Sequence, residues 1–165
     1  MQIITKEPII CTSDDLEHFE SLVKLGNEVD LKRLRNRIFS AKWLLFLYEE
    51  DNKLAGISAI KQPKEKYKKE IFSKSKSGEN PEIFQYEVGW VYVKEQYRRK
   101  GYSTELLNKI VELSNGGPLF ATTKESNTPM KKTLLKFGFQ ESGETYPSKR
   151  GDYKLILYLR NKGKS

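Results

Sequence analysis

Tyr86 to Leu107 reads YEVGWVYVKEQYRRKGYSTELL, and this stretch decides the fold. Its first half, through Lys94, is a run of aromatic and β-branched residues, the composition of a strand. From Ser103 to Leu113, Leu106, Leu107, Ile110 and Val111 recur at helical spacing and predict an amphipathic helix. Between them lies a short turn with Arg98, Arg99, Lys100 and Gly101. A helix that starts on such a turn leaves its first N–H groups without intrahelical partners, and the helix dipole adds positive potential there. Together they form an anion site suited to a pyrophosphate. Gly101 lets the backbone approach the oxygens, Ser103 is small enough for close contact, and the three cations can add charge-assisted contacts. A solvated basic turn would have the same residues. Neither Gly-x-x-x-x-Gly-Lys-Ser/Thr nor Gly-x-Gly-x-x-Gly is present to separate the two readings.

Working outward, Ser13 to Gly26 reads as a helix capped by Thr12 or Ser13, with Leu16, Phe19, Leu22 and Val23 on one face. A second helix is expected from about Asp30 to Ala41, with Leu31, Leu34 and Ile38 inward. Two strands follow around the Asp51-Asn52 turn. Residues 62–83 are lysine-rich and read as a mobile loop holding a short helix with Tyr67, Ile71 and Phe72. After the central strand and helix come a strand at LFATT, a helix from Ser126 to Lys136 and a strand at DYKLILYLR. Helices and strands interleaved in this way predict a mixed α/β layer structure, a sheet covered by helices. The 165 residues, 37% of them hydrophobic, suit one folded domain.

Two linked motifs carry a resemblance to a known family. Glu87 on its strand, followed by Arg98-x-x-Gly101-x-Ser103 at the helix entrance, resembles motif A of the GNAT superfamily, the acetyl-CoA-dependent N-acyltransferases. LFATTKESNTPMKKTLLKFGFQESG is similar to the family's next strand and helix, with Asn127, Met130, Gly138 and Phe139 in frame. The resemblance spans roughly residues 42–160. It implies an α+β fold with a central mixed, mostly antiparallel twisted sheet flanked by helices on both faces. The domain would cover residues 1–160, with a basic insertion at 61–84 and a frayed tail at 161–165.

The resemblance also implies roles. Backbone groups of Val91 and Val93 would pair with the pantetheine arm of acetyl-CoA as an added strand does. Arg98, Arg99, Lys100, Gly101, Tyr102, Ser103 and Thr104 would hold the pyrophosphate. Asn127 would touch the cofactor arm or cap its helix. Glu87 would take the proton from an attacking amine, which is mostly protonated near neutral pH. The family's usual tyrosine acid falls at Leu134, so the acid is missing; Tyr146 and Tyr153, in ETYPSKRGDYKL, are the replacements, with Tyr146 preferred. Aromatic packing is the other reading of both tyrosines. No metal is expected.

The acceptor is not named by these residues. The formal charge is +8, and Lys61 to Lys76 carries seven lysines against Glu65 and Glu70. This segment reads as a solvated surface, or as a contact for an anionic acceptor or a nucleic acid. Three functions stand: N-acetyl transfer to a primary amine, a nucleic-acid- or tRNA-associated protein of this fold, and an acyl-CoA-binding domain without transfer. A homodimer fits any of them. The single cysteine, Cys11, excludes an intrachain disulfide, and His18 lacks partners for a triad or metal site. MQIITKEPII is too short and polar for a signal peptide, and no apolar run reaches the ~20 residues of a membrane span, so a cytoplasmic protein is expected.

Overall fold

The computed structural model describes residues 1–26 and 30–162. Its strands are β1 (Gln2–Lys6), β2 (Trp43–Tyr48), β3 (Leu54–Lys61), β4 (Tyr86–Val93), β5 (Leu119–Lys124), β6 (Gln140–Pro147) and β7 (Lys154–Arg160). Its α-helices are α1 (Ser13–Leu25), α2 (Leu34–Phe39), α3 (Glu65–Lys74), α4 (Tyr102–Leu113) and α5 (Thr128–Lys136). The strands make one mixed sheet in the order β1-β2-β3-β4-β5-β7-β6. β4 and β5 run parallel, while β1/β2, β2/β3, β5/β7 and β6/β7 are antiparallel. This is the α+β architecture expected from the motifs.

Three expectations need correction. β1 and β6 were not foreseen; they close the two ends of the sheet, where one partner strand suffices and polar sequence is tolerated. The second helix is only Leu34–Phe39. Asp30 caps the Lys32 N–H at 2.9 Å and Arg33 turns left-handed (φ 55°), so the helix starts late and Leu31 is exposed rather than inward. The segment at 62–83 is more ordered than a mobile loop. α3 spans ten residues, a 3-10 turn covers Pro81–Ile83, and Ile71, Phe72 and Phe84 are buried. Lys68 is buried too, paired with Glu65 at 3.0 Å. Of the expected tail, residues 163–165 lie outside the described residues.

The chain divides into two compact units: residues 1–61 with 88–110, and residues 62–87 with 111 onward. In the first, α1 begins with a reciprocal cap, in which the Asp15 N–H donates to Thr12 Oγ1 and the Thr12 N–H to Asp15 Oδ2. Phe19, Leu22 and Val23 then pack with Leu34, Ile38, Leu44, Phe46 and Ile57. Phe19 meets Phe46 and Trp90 edge-on, at 5.5 and 5.9 Å between ring centres. Trp90 lies in the left-handed region (φ 52°), which breaks the alternation of β4. A non-glycine residue there is strained, and a strand tolerates it as a bulge.

In the second unit, Tyr86 and Glu87 pair with Leu119 and Phe120, and β5, β7 and β6 continue outward. The core is Ile71, Phe72, Phe84, Phe120, Tyr146, Leu157 and Leu159. α5 ends in a Schellman turn: the Phe139 N–H donates to Leu134 C=O and the Gly138 N–H to Leu135 C=O, both at 3.1 Å. That turn requires the left-handed Gly138 (φ 83°) and accounts for the Gly-Phe pair of the second motif.

Candidate active site

The turn between β4 and α4 is built within the first unit. A 3-10 turn at Glu95–Tyr97 ends the strand's path, Arg99 (φ 64°) and Gly101 (φ 79°) are left-handed, and α4 starts at Tyr102. The Glu105 N–H is the first to bond back, to Gly101 C=O at 3.1 Å. The N–H groups of Tyr102, Ser103 and Thr104 therefore precede the helical ladder. A Cβ on Gly101 would meet nothing within 4 Å, so open space lies beside these donors, as a pyrophosphate needs.

The cations of the turn are largely engaged elsewhere. Arg98 Nε donates to Val93 C=O at 3.1 Å, and its guanidinium lies 5.8 Å from the Tyr92 ring centre. Lys100 Nζ and the Tyr102 hydroxyl both donate to Glu49 Oε1, at 2.9 and 2.7 Å. The Lys100 and Tyr102 hydrogen bonds hold the Glu49 carboxyl below its usual range, and the bond to Glu49 raises both Lys100 and Tyr102. All three cations remain exposed, so the backbone donors and these side chains both border open space. Val93 is buried and Val91 half-buried on β4.

The second unit builds a buried polar cluster around Glu87. Its side chain is 3% exposed, and the Tyr67 hydroxyl donates to Glu87 Oε1 at 3.2 Å. Tyr146, on β6 and 5% exposed, has a hydroxyl with no hydrogen-bond partner among the described residues. Burial first, and the Glu87 charge second, push both phenols well above the ordinary tyrosine range; Arg150 partly offsets this for Tyr67. Both tyrosines therefore hold their protons throughout the physiological range. The buried carboxylate can accept a proton, and the neutral phenols are the hydrogen-bond donors of the cluster.

Sequence comparison decides the family. The profile of the Acetyltransferase (GNAT) family matches residues 15–139. The chain belongs to the GNAT family. Solved structures agree on the fold at low identity. Escherichia coli ElaA aligns with a TM-score of 0.72 at 14% identity, over 98% of this chain and 100% of that one. An N-acetyltransferase from Staphylococcus aureus Mu50 aligns at 0.65 and 16%, over 98% of each chain. Arabidopsis thaliana NAA60 in complex with acetyl-CoA aligns at 0.64 and 14%, over 96% of this chain and 97% of that one. No curated protein matches the sequence.

Geometry clarifies one expected departure from the family pattern, the missing acid. Leu134, at the family's acid position, is buried in the core (1% exposed) and offers no polar group. Tyr153, the other replacement, sits just before β7 with the Lys124 ammonium 4.3 Å above its ring centre. Tyr146 is the tyrosine beside Glu87, and it stands on a strand rather than in the connection after it.

Asn127 caps α5, accepting from the Met130 N–H at 3.2 Å. His18 is exposed, and Cys11 donates weakly to Glu7 C=O. Among the described residues no cluster of His, Cys, Asp and Glu is arranged to hold a metal, and no helix is long and apolar enough to cross a membrane. Tyr67 was missed as a site residue. Its only sequence signal was its place one turn before Ile71 on an amphipathic helix.

Proposed function

We propose that the chain is an acetyl-CoA-dependent N-acetyltransferase that places an acetyl group on a primary amine. The observation that carries this reading is Glu87, buried and hydrogen-bonded by the protonated Tyr67 phenol, on the strand that leads into the Gly101 turn. Acetyl-CoA would supply the acetyl group as an activated thioester. The N–H groups from Arg99 to Thr104 hold its pyrophosphate, with Arg98 and Lys100 adding positive potential. Backbone groups of Val91 and Val93 run beside its pantetheine arm, one Val93 carbonyl lone pair already serving Arg98. Asn127 spends its side-chain oxygen on the helix cap and keeps its amide NH2 for the arm.

Glu87 removes the amine proton as the N–C bond forms at the acetyl carbonyl. The C–S bond then breaks and its electron pair leaves on sulfur. Tyr146 stabilises that sulfur by a hydrogen bond without surrendering its proton, because the phenol is much the weaker acid. A thiol ionises near ~8.5, so the thiolate is a tolerable leaving group and takes its proton from water. Calorimetry and turnover test the assignment together. Gly101→Asp should abolish acetyl-CoA binding, and Glu87→Gln should bind normally and turn over poorly. Failure of the wild type to bind acetyl-CoA would overturn it.

A second reading is favoured by Leu134: an acyl-CoA-binding domain that performs no transfer. Its sign would be normal acetyl-CoA affinity with no product from any amine in a broad panel.

A further inference from the structure

We propose that Tyr67 is a positioning residue for Glu87, and that α3 belongs to the catalytic apparatus because it delivers that hydroxyl. The inference rests on the transfer reaction proposed above. Three observations support it. Tyr67 shares a helical face with Ile71, one turn on, and the burial of Ile71 and Phe72 against Phe84 and Phe120 fixes how α3 is rotated. Its hydroxyl then reaches Glu87 Oε1 at 3.2 Å, inside an apolar surround where a lost hydrogen bond is costly.

The second observation is that α3 is fastened along its C-terminal half and in the turn that follows it. Glu70 pairs with Lys149 and with Lys74, Lys76 pairs with Glu144 at 3.3 Å, and the Ser77 and Ser142 hydroxyls lie 2.6 Å apart. The Glu144 N–H donates to Ser75 C=O at 2.6 Å, with Gly143 packed on the Ser75 backbone. A segment that merely solvated the surface would not need three bonds to β6 and a fourth, from Glu70, to the connection after it.

The third is the asymmetry of the cluster. Tyr67 spends its proton on Glu87, whereas the Tyr146 hydroxyl is buried and without a partner among the described residues. Buried hydroxyls are nearly always satisfied, so the unsatisfied one is the group that meets a reactant and the satisfied one is its support. Tyr67 holds one carboxylate oxygen and so fixes which way Glu87 presents the other to the amine. The charged and titratable groups facing this pair are Tyr146 from β6 and Arg150 from the β6–β7 connection.

The test compares wild type, Tyr67→Phe, Glu87→Gln and the double variant, with thermal midpoints as the folding control. With acetyl-CoA and a panel amine that the wild type acetylates, Tyr67→Phe should lower kcat about tenfold while the KM for acetyl-CoA stays put. The double variant should be no slower than Glu87→Gln alone. Additive losses, or a wild-type kcat in Tyr67→Phe, would overturn the proposal. Tyrosine ionisation, followed by ultraviolet absorbance, separates this from failure of the transfer reading. Glu87→Gln should bring one late-titrating tyrosine to lower pH, the one that is absent from Tyr67→Phe, even if no amine is acetylated. An unchanged titration would overturn the Tyr67–Glu87 coupling itself.

Discussion

Lys100 Nζ lies 2.9 Å from Glu49 Oε1, so the most prominent cation of the anion turn already has a counter-ion from the end of β2. If the backbone N–H groups hold the pyrophosphate, removing this pair as a whole should matter little. Lys100→Met alone leaves Glu49 as an unbalanced negative charge and should weaken acetyl-CoA binding several-fold. The double variant Lys100→Met/Glu49→Gln should return to within about threefold of wild type, the scale expected of an exposed ion pair. Titration calorimetry reads both. A double variant as weak as the single one would place the Lys100 side chain on the phosphate.

Gly101 tests the backbone directly. A methyl there meets nothing within 4 Å, so the cost of Gly101→Ala comes from φ 79° alone. Holding an L-residue in that region costs about 1–2 kcal/mol, and relaxing out of it turns the N–H groups away. Acetyl-CoA affinity should fall by about tenfold, with a midpoint lower by no more than roughly 2–8 °C. An affinity equal to wild type would mean that the turn does not bind the cofactor.

Tyr146→Phe should separate stability from activity. The hydroxyl is buried and unsatisfied among the described residues, so deleting it removes a desolvation penalty and should stabilise by about 1 kcal/mol, roughly 2–4 °C in the midpoint. Turnover should fall by about tenfold or more as the sulfur loses its donor. A destabilised variant would mean that the hydroxyl has a structural partner, and unimpaired turnover would remove it from catalysis.

Gly143→Ala should open the seam between α3 and β6. The added Cβ would collide with the Ser75 carbonyl, and φ is 74°. Overpacking and the left-handed backbone together predict about 2–4 kcal/mol of destabilisation, a midpoint lower by roughly 5–15 °C. Differential scanning calorimetry checks it; a neutral effect would show that α3 is not fastened there.

The same seam should respond to acid. Between Lys149 and Lys74, the Glu70 carboxyl is held down to about 2. A depressed acid stabilises the fold above its unfolded value of 4.5, and the contribution is lost as pH falls from there toward about 2. The wild-type midpoint should therefore drop more steeply over that window than that of Glu70→Gln. Parallel curves would mean that the pair does not form in solution.

What was legible in the sequence was local. The Thr12 cap and the Asn127 cap are each written in a few adjacent residues and formed, whereas Gly138 and Phe139 were legible as a family motif and their Schellman turn only in the structure. The strand–turn–helix around Gly101 was legible for the same reason. What was hidden depends on partners distant in the chain. β6 reads QESGETYP, with Tyr146 alone buried, because an edge strand need bury only what its one neighbour supplies. The left-handed Trp90 has no local signature, since packing against Phe19 and Lys61 holds it there. Tyr67 and Glu87 are twenty positions apart, and only the folding of α3 onto the core joins them.

The measurement that bears most directly on this account is mass spectrometry of a primary-amine panel incubated with isotopically labelled acetyl-CoA, wild type beside Glu87→Gln, with cofactor binding verified for both. The account predicts labelled N-acetyl product from the wild type and at least a hundredfold less from the variant, at equal acetyl-CoA affinity. Wild-type protein that binds acetyl-CoA and acetylates no amine, or a variant as active as wild type, would contradict it.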